Sequence, residues 1–194
     1  LQVLLQSPQF LYISPQPTEA VTENMSFISS TERLALLTLF LHNSLPSKQQ
    51  YETYGDRIQS RADMHELAQE FLSLNDTSQM VYLFHRDWLH LFRLYEGTKD
   101  KELYPYYTST WANHAEQELQ LFVQDIFWNG FAHFDDLLFS TEAWIHPELQ
   151  QLYTTTDDLS FYDDDLWSYV PNISQERIGI LTRPAFLMAH SYTA

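Results

Sequence analysis

The chain has 194 residues, no cysteine and a formal net charge of −16, and 44% of its residues are hydrophobic. This length fits one folded domain or two small ones, and the composition excludes a wholly disordered chain. The lack of cysteine excludes disulfides, thiolate metal sites and a Cys-x-x-Cys-His haem motif. Residues 96–194 hold 16 acids against 4 basic residues, a balance that disfavours nucleic acid and is explained either by a solvated acidic surface or by affinity for a cation or a basic partner.

The first two long helices are predicted from their start signals and apolar stripes. In residues 29–46, Ser29 and Glu32 have the capping-box spacing, and Pro46 prevents the helix from continuing. In residues 60–76, Ser60 is followed by Asp63 at the same spacing. Apolar residues at helical intervals then predict that one face of each helix is buried.

Two further long helices are predicted in the middle of the chain. Residues 78–97 are apolar nearly all round, which predicts a central helix with Phe84 and Trp88 as core anchors and a stop at Gly97. Residues 108–130 place Trp111 and Phe122 on one apolar stripe. No stretch approaches the roughly 20 apolar residues that a membrane-spanning helix needs.

The C-terminal part predicts shorter elements. Residues 134–138 and 147–153 form short helices, Thr182 caps a helix that starts near Pro184, and residues 154–176 form a long acidic loop. Alternating strand patterns are scarce. The predicted fold is therefore all-α: one helical domain over residues 1–194, built as an irregular bundle of about four long helices with short helices and the acidic loop.

The acidic loop contains the candidate metal and contact residues. Carboxylates at five positions offer the hard oxygen ligands that calcium prefers, although the EF-hand glycine and final glutamate are missing. The candidate ligands are Asp157, Asp158, Asp163, Asp164 and Asp165. Four aromatic residues lie among or beside these acids and predict a surface for a basic partner; they are Phe161, Tyr162, Trp167 and Tyr169. A solvated acidic loop is the alternative.

Other histidines and acids are weaker candidates. His133 beside Asp135 and Asp136 offers an acid–base couple, but either aspartate also suits the cap of a short helix. His85 and His90 are five residues apart, which is not the i, i+4 spacing of a helical zinc pair. His114 and its neighbouring glutamates are explained by the polar outer face of their helix. Calcium is therefore the single cofactor considered, and we expect no other in this chain.

Four segments in a fixed order resemble a bacterial family of unknown function. They are LLQSPQFLY at 4–12, ERLALLTLFLHNSLP at 32–46, FHRDWLHLFRL at 84–94 and RIGILTRPAFLMAHS at 177–191. They resemble adjacent domains of planctomycete and myxobacterial proteins that often accompany planctomycete-type cytochrome c domains. Departures from the family pattern, such as Ala35-Leu36-Leu37 where the family has Arg-Leu-Ser, indicate a distant member.

The resemblance implies a piece of a longer exported protein, located in the periplasm or at the cell surface. The first functional hypothesis is a non-catalytic helical scaffold that contacts other domains or subunits of a cell-envelope assembly, in a cytochrome-associated setting. The alternative is a metal-dependent or carbohydrate-active enzyme using His133, Asp135, Asp136 and the carboxylates of 157–165. The sequence favours the non-catalytic hypothesis because no complete catalytic motif is present.

Overall fold

The computed structural model is mostly helical, and the all-α prediction is confirmed. It describes residues 5–8, 12, 17–22, 25–73, 75–96, 99–105, 107–130, 133–153, 167–173 and 175–191. These cluster into two compact units, residues 1–80 and 81–194. The prediction of a single domain over 1–194 stays a prediction. Within the described ranges no helix is both long and apolar enough to cross a membrane.

The first unit pairs two strands and then packs three helices. Strands β1 (Pro17–Thr22) and β2 (Met25–Ile28) are antiparallel. Helices α1 (Ser30–His42), α2 (Lys48–Tyr54) and α3 (Arg61–Leu72) follow. Each begins with a capping box, and the predicted boxes of α1 and α3 are confirmed. The buried core comprises Leu34, Leu37, Leu41, Ile58, Leu67 and Phe71.

Helix α5 is the centre of the second unit. Helix α4 (Asn75–Trp88) leads into this unit, and a 3₁₀ turn (Leu91–Leu94) separates it from α5 (Ser109–Trp128). The buried face of α5 has the helical period that the sequence shows. Its apolar members are Ala112, Ala115, Leu119, Phe122, Val123 and Ile126.

The remaining elements of the second unit surround α5. They are α6 (Phe134–Phe139), β3 (Ala143–Ile145), a 3₁₀ helix (Pro147–Leu152), β4 (Ser168–Val170), two further 3₁₀ turns (Gln175–Arg177 and Ile180–Thr182) and α7 (Pro184–His190). The short helices predicted after α5 are therefore present, the second as a 3₁₀ helix with Pro147 in its first turn.

The predicted core face of α4 is wrong. Phe84 is 62% exposed and Trp88 is 48% exposed, whereas Tyr82 and His85 are buried. The buried polar atoms have partners inside the unit: the Tyr82 hydroxyl donates to Glu116, and His85 Nδ1 donates to the Val81 carbonyl at 2.7 Å. These hydrogen bonds remove the cost of burying polar groups, so the amphipathic side chains take the inner face.

Helix α4 also ends earlier than predicted. It stops at Trp88, and His90 adopts a left-handed backbone with φ 52° before the 3₁₀ turn begins. The predicted stop at Gly97 lies outside the described residues. Trp111, the second predicted anchor, is partly buried on α5.

Two predictions about the C-terminal segment need correction. The described end of the 154–176 loop contains strand β4, in which Tyr169 pairs with Trp144 of β3 in antiparallel register. A three-residue strand is too short for its alternation to be recognised in a sequence. Thr182 does not cap α7: the capping position is Arg183, and the Thr182 hydroxyl instead donates to the Ile178 carbonyl at 2.6 Å.

A fully buried ion pair joins the C-terminal segment to α5. Arg183 Nη1 donates to Glu118 Oε1 at 2.9 Å, and neither side chain is exposed to solvent. Arg183 also donates to the Gly179 and Glu142 carbonyls, and its guanidinium lies 4.0 Å from the centre of the Phe122 ring. Burial raises the pKa of Glu118, and the Arg183 charge opposes that rise.

Gly179 is required by its backbone conformation and by a close approach. Its φ is +63°, and a Cβ built there would lie 1.9 Å from the Leu138 carbonyl oxygen. Its amide donates to the Ser140 carbonyl at 2.8 Å, which fixes the segment before Arg183 against the end of α6. A side chain would therefore separate these two segments.

We predict that Gly179→Ala lowers the free energy of unfolding by more than about 2 kcal/mol, because it combines a left-handed φ with a backbone clash. The control is Gly130→Ala at the end of α5, where the added Cβ would meet the Ile126 carbonyl at 2.8 Å without a positive φ. Urea denaturation followed by tryptophan fluorescence measures this unit, since all five tryptophans lie in residues 81–194. Equal losses in the two variants would contradict the role given to Gly179.

We predict that Arg183→Met costs about 3–5 kcal/mol, because it leaves the Glu118 carboxylate buried without its partner. Arg86→Met is the control: Arg86 pairs with Asp87 at 3.1 Å on the surface, where an ion pair contributes about 0–1 kcal/mol. The double variant Glu118→Leu/Arg183→Met should recover much of the loss. Urea midpoints by the same fluorescence assay test this, and a double variant as unstable as the sum of the singles would refute it.

Candidate functional site

Four exposed aromatic side chains lie where the C-terminal ends of α4 and α5 meet. Phe84 and Trp88 of α4 stack with ring centres 6.3 Å apart, and Phe127 and Trp128 of α5 are 6.1 Å apart. The exposed fractions are 62%, 48%, 38% and 38% respectively. We call these four residues the aromatic patch.

The buried His85 ring connects the two halves of the patch. Its centre is 5.2 Å from Phe84, 6.0 Å from Trp88 and 5.5 Å from Phe127. Burial lowers the pKa of His85, so the ring is kept neutral beneath the patch. A cluster of large aromatic side chains, held in place by a buried ring, is unusual on a solvent-exposed surface. Phe and Trp are among the residue types that are enriched in protein interfaces.

A second feature is a cleft of about 760 Å³ between α5, α6 and the β3–β4 sheet. Its lining includes four carboxylates, Asp125, Asp135, Asp136 and Glu142, together with Trp144 and Tyr169. The Trp144 and Tyr169 rings are 5.3 Å apart. Burial, helped by a hydrogen bond to Glu142 and its charge, raises the pKa of Tyr169 to about 12, so its hydroxyl stays protonated at neutral pH. We call this the acidic cleft.

The acidic cleft brings together part of the predicted acid–base set. Asp135 and Asp136 lie in the first turn of α6 and both line the cleft, whereas His133 is exposed at the capping position and is not among the lining residues. Neither aspartate is the capping residue of α6, so that alternative is wrong; their charges still suit a helix N-terminus.

The predicted calcium ligands and half of the predicted contact residues lie outside the described residues. Positions 157, 158, 161, 162, 163, 164 and 165 are in this group. Trp167 and Tyr169 are described: Tyr169 is 45% exposed in the wall of the acidic cleft, and Trp167 is partly buried beside two histidines. The calcium site and the loop contact surface stay predictions.

Those two histidines form the third feature, which sequence reasoning missed. His114 of α5 stacks on His146 with ring centres 3.7 Å apart, and His114 Nδ1 lies 3.1 Å from Glu148 Oε2. His146 follows β3 and caps the 3₁₀ helix, accepting from the Glu148 amide at 3.3 Å. We call His114, His146 and Glu148 the histidine cluster.

The sequence does not reveal the histidine cluster because its members come from different elements. The sequence predicts that His114 lies on a polar helix face, and helical spacing identifies ligand pairs within one helix only. The local signal was a His-x-Glu at the end of a short apolar segment, at residues 146–148. Its partner on α5 is identified by packing alone.

Comparison with known proteins identifies a family but no characterised relative. Residues 28–154 match the family model described as "Protein of unknown function (DUF1592)". No curated protein and no solved structure shows significant similarity to the chain. The matched segment contains α1 to α6 and all three members of the histidine cluster. Because the match covers well over half of its length, the chain belongs to this family of proteins of unknown function.

Proposed function

We propose that the chain is a non-catalytic helical contact module that binds a protein partner through the aromatic patch. The exposed rings of Phe84, Trp88, Phe127 and Trp128 are the observation that carries this proposal. Burying such rings against a partner contributes hydrophobic free energy of about 25 cal/mol per Å² of apolar surface, and rigid aromatics lose little entropy on binding.

Charge defines the chemistry of the partner. The 99 residues from 96 to 194 contain 16 acids and 4 basic residues, and the aromatic patch belongs to this acidic half of the protein through α5. A partner with an apolar centre and a basic rim would match this surface, and opposite charges would accelerate its association.

The cellular setting is proposed on the family resemblance alone. Planctomycete and myxobacterial proteins with these motifs are exported and often carry cytochrome c domains. The partner is therefore proposed to be another domain or subunit of a cell-envelope assembly, in the periplasm or at the cell surface. The same hypothesis includes a second contact surface, formed by the predicted contact residues of the acidic loop. Trp167 and Tyr169 are two of these residues.

We predict that a photo-crosslinking amino acid at Phe84 or Trp128, placed in the full-length protein in its native cells, forms one discrete crosslinked product. The control position is Gln117, an exposed residue of α5 outside the patch. Mass spectrometry identifies the partner, and Trp88→Ser in the same protein should reduce the product at least about fivefold, as expected for loss of one aromatic anchor. Equal crosslinking at all three positions, or none at any, would rule out the patch as a docking surface.

A carbohydrate-active enzyme is the second candidate, and the acidic cleft supports it. Glycoside hydrolases use paired carboxylates, and this cleft is lined by Asp135, Asp136, Asp125 and Glu142. The adjacent rings of Trp144 and Tyr169 offer a surface on which a sugar can stack. This proposal keeps Asp135 and Asp136, which the sequence predicts as part of an acid–base couple. Asp125 and Glu142 of the cleft take the place of His133.

If this second candidate is correct, the purified chain releases reducing sugar from at least one member of a polysaccharide panel. Asp136→Asn should then reduce the rate at least about 100-fold, the usual effect of removing a catalytic acid or base. Asp56→Asn, at an exposed position in the first unit, is the control. If the wild type shows no turnover, or if Asp136→Asn and Asp56→Asn turn over equally fast, the enzyme candidate is wrong and the contact module remains.

A further inference from the structure

We infer that the histidine cluster is a binding site for one divalent first-row transition-metal ion of the zinc type. Each of His114, His146 and Glu148 supplies one donor atom, and these atoms lie within 4.8 Å of one another. Two imidazoles and one carboxylate form the donor set of many zinc sites in which water occupies a fourth position. This inference is independent of the proposed docking function.

The spacing of one donor pair fits a metal ion. Bonds of about 2.0–2.1 Å in tetrahedral geometry place neighbouring donor atoms about 3.3 Å apart. His114 Nδ1 and Glu148 Oε2 are 3.1 Å apart, where the proton on Nδ1 bridges them. A metal ion can take the place of that proton when the neutral His114 ring changes tautomer, so that Nε2 carries the proton and the Nδ1 lone pair faces the ion.

His146 is held in place more firmly than His114 and Glu148. His146 is 3% exposed and sits directly after strand β3, whose Ile145 is fully buried. The His114 side chain is 19% exposed on the long helix α5, and the Glu148 side chain is 45% exposed. His146 therefore sets the position of the ion, the His114 ring moves out of the stack to reach it, Glu148 closes on it, and the open side admits a water molecule or a substrate group.

Packing supports the histidine pair from the other side. The Trp167 ring centre lies 5.2 Å from His146 and 6.3 Å from His114, with the rings inclined at 59° and 86°. An indole covering two imidazoles excludes water from one side of the cluster and lowers the local dielectric. It also provides an optical reporter within contact distance of the proposed ion.

The competing explanation is a structural one. His114 and Glu148 form an ordinary surface ion pair in that case, and His146 serves as the capping residue of the 3₁₀ helix. This explanation accounts for two contacts separately. The His114–His146 stack at 3.7 Å is compatible with this explanation, because two rings that ligate one ion lie further apart, and the metal titration decides between the two explanations.

The experiment titrates the untagged, EDTA-treated chain with Co²⁺ and Zn²⁺. We expect one equivalent of Co²⁺ to bind, with visible absorption bands of low-symmetry four-coordinate cobalt and quenching of tryptophan fluorescence. Zn²⁺ should displace it stoichiometrically and raise Tm. Glu148→Gln, at a half-exposed position that the fold tolerates, should weaken Co²⁺ affinity at least about tenfold, and His114→Gln should abolish the visible bands.

His65→Gln, at an exposed position on α3, is the matched control and should bind as the wild type does. Circular dichroism confirms that each variant is folded before titration. Failure of the folded wild type to bind one equivalent overturns the inference. Binding that Glu148→Gln and His114→Gln leave unchanged also overturns it, because the ion would then occupy another site such as the acidic loop.

Discussion

The buried ion pair between Arg183 and Glu118 is the constraint on which the second unit depends. Two charges removed from water are stable together only when their hydrogen bonds are also satisfied. Arg183 meets this condition by donating to the Gly179 and Glu142 carbonyls as well as to Glu118, with Phe122 against the face of its guanidinium, whereas Glu118 Oε2 has no hydrogen-bond partner of normal geometry among the described residues. One side chain thereby connects α5, the segment before β3 and the C-terminal helix.

The hydrogen bond from Arg183 also restricts the backbone at Gly179. Gly179 passes so close to the Leu138 carbonyl that no side chain fits, and its own carbonyl accepts from Arg183. The motif Arg-Ile-Gly-Ile-Leu-Thr at 177–182 therefore has a physical role in this fold. Arg177 adds a further contact between segments, because its Nε donates a hydrogen bond to the Leu152 carbonyl at 3.1 Å.

Helix α5 presents all three surface features at different points along its length. His114 lies near its start, Asp125 contributes to the acidic cleft, and Phe127 and Trp128 complete the aromatic patch at its end. The buried face of the same helix carries Glu118. A long helix fixed from inside by an ion pair is a rigid support, which suits both a docking surface and a metal site that need preset geometry.

The sequence by itself determined the fold class, the starts of α1 and α3, and the buried face of α5, because caps and helical periodicity act within a few residues along the chain. Periodicity failed for α4, whose residues are apolar on nearly every side. There the hydrogen bonds of Tyr82 and His85 decided which face turned inward.

Only the tertiary structure decided the functional geometry. His114 and His146 are 32 positions apart, and Glu118 and Arg183 are 65 apart, so their pairing depends on how β3 and the C-terminal segment pack on α5. Short-range sequence patterns do not predict such contacts. The distance between two side chains on different elements is set by packing and not by their spacing in the chain.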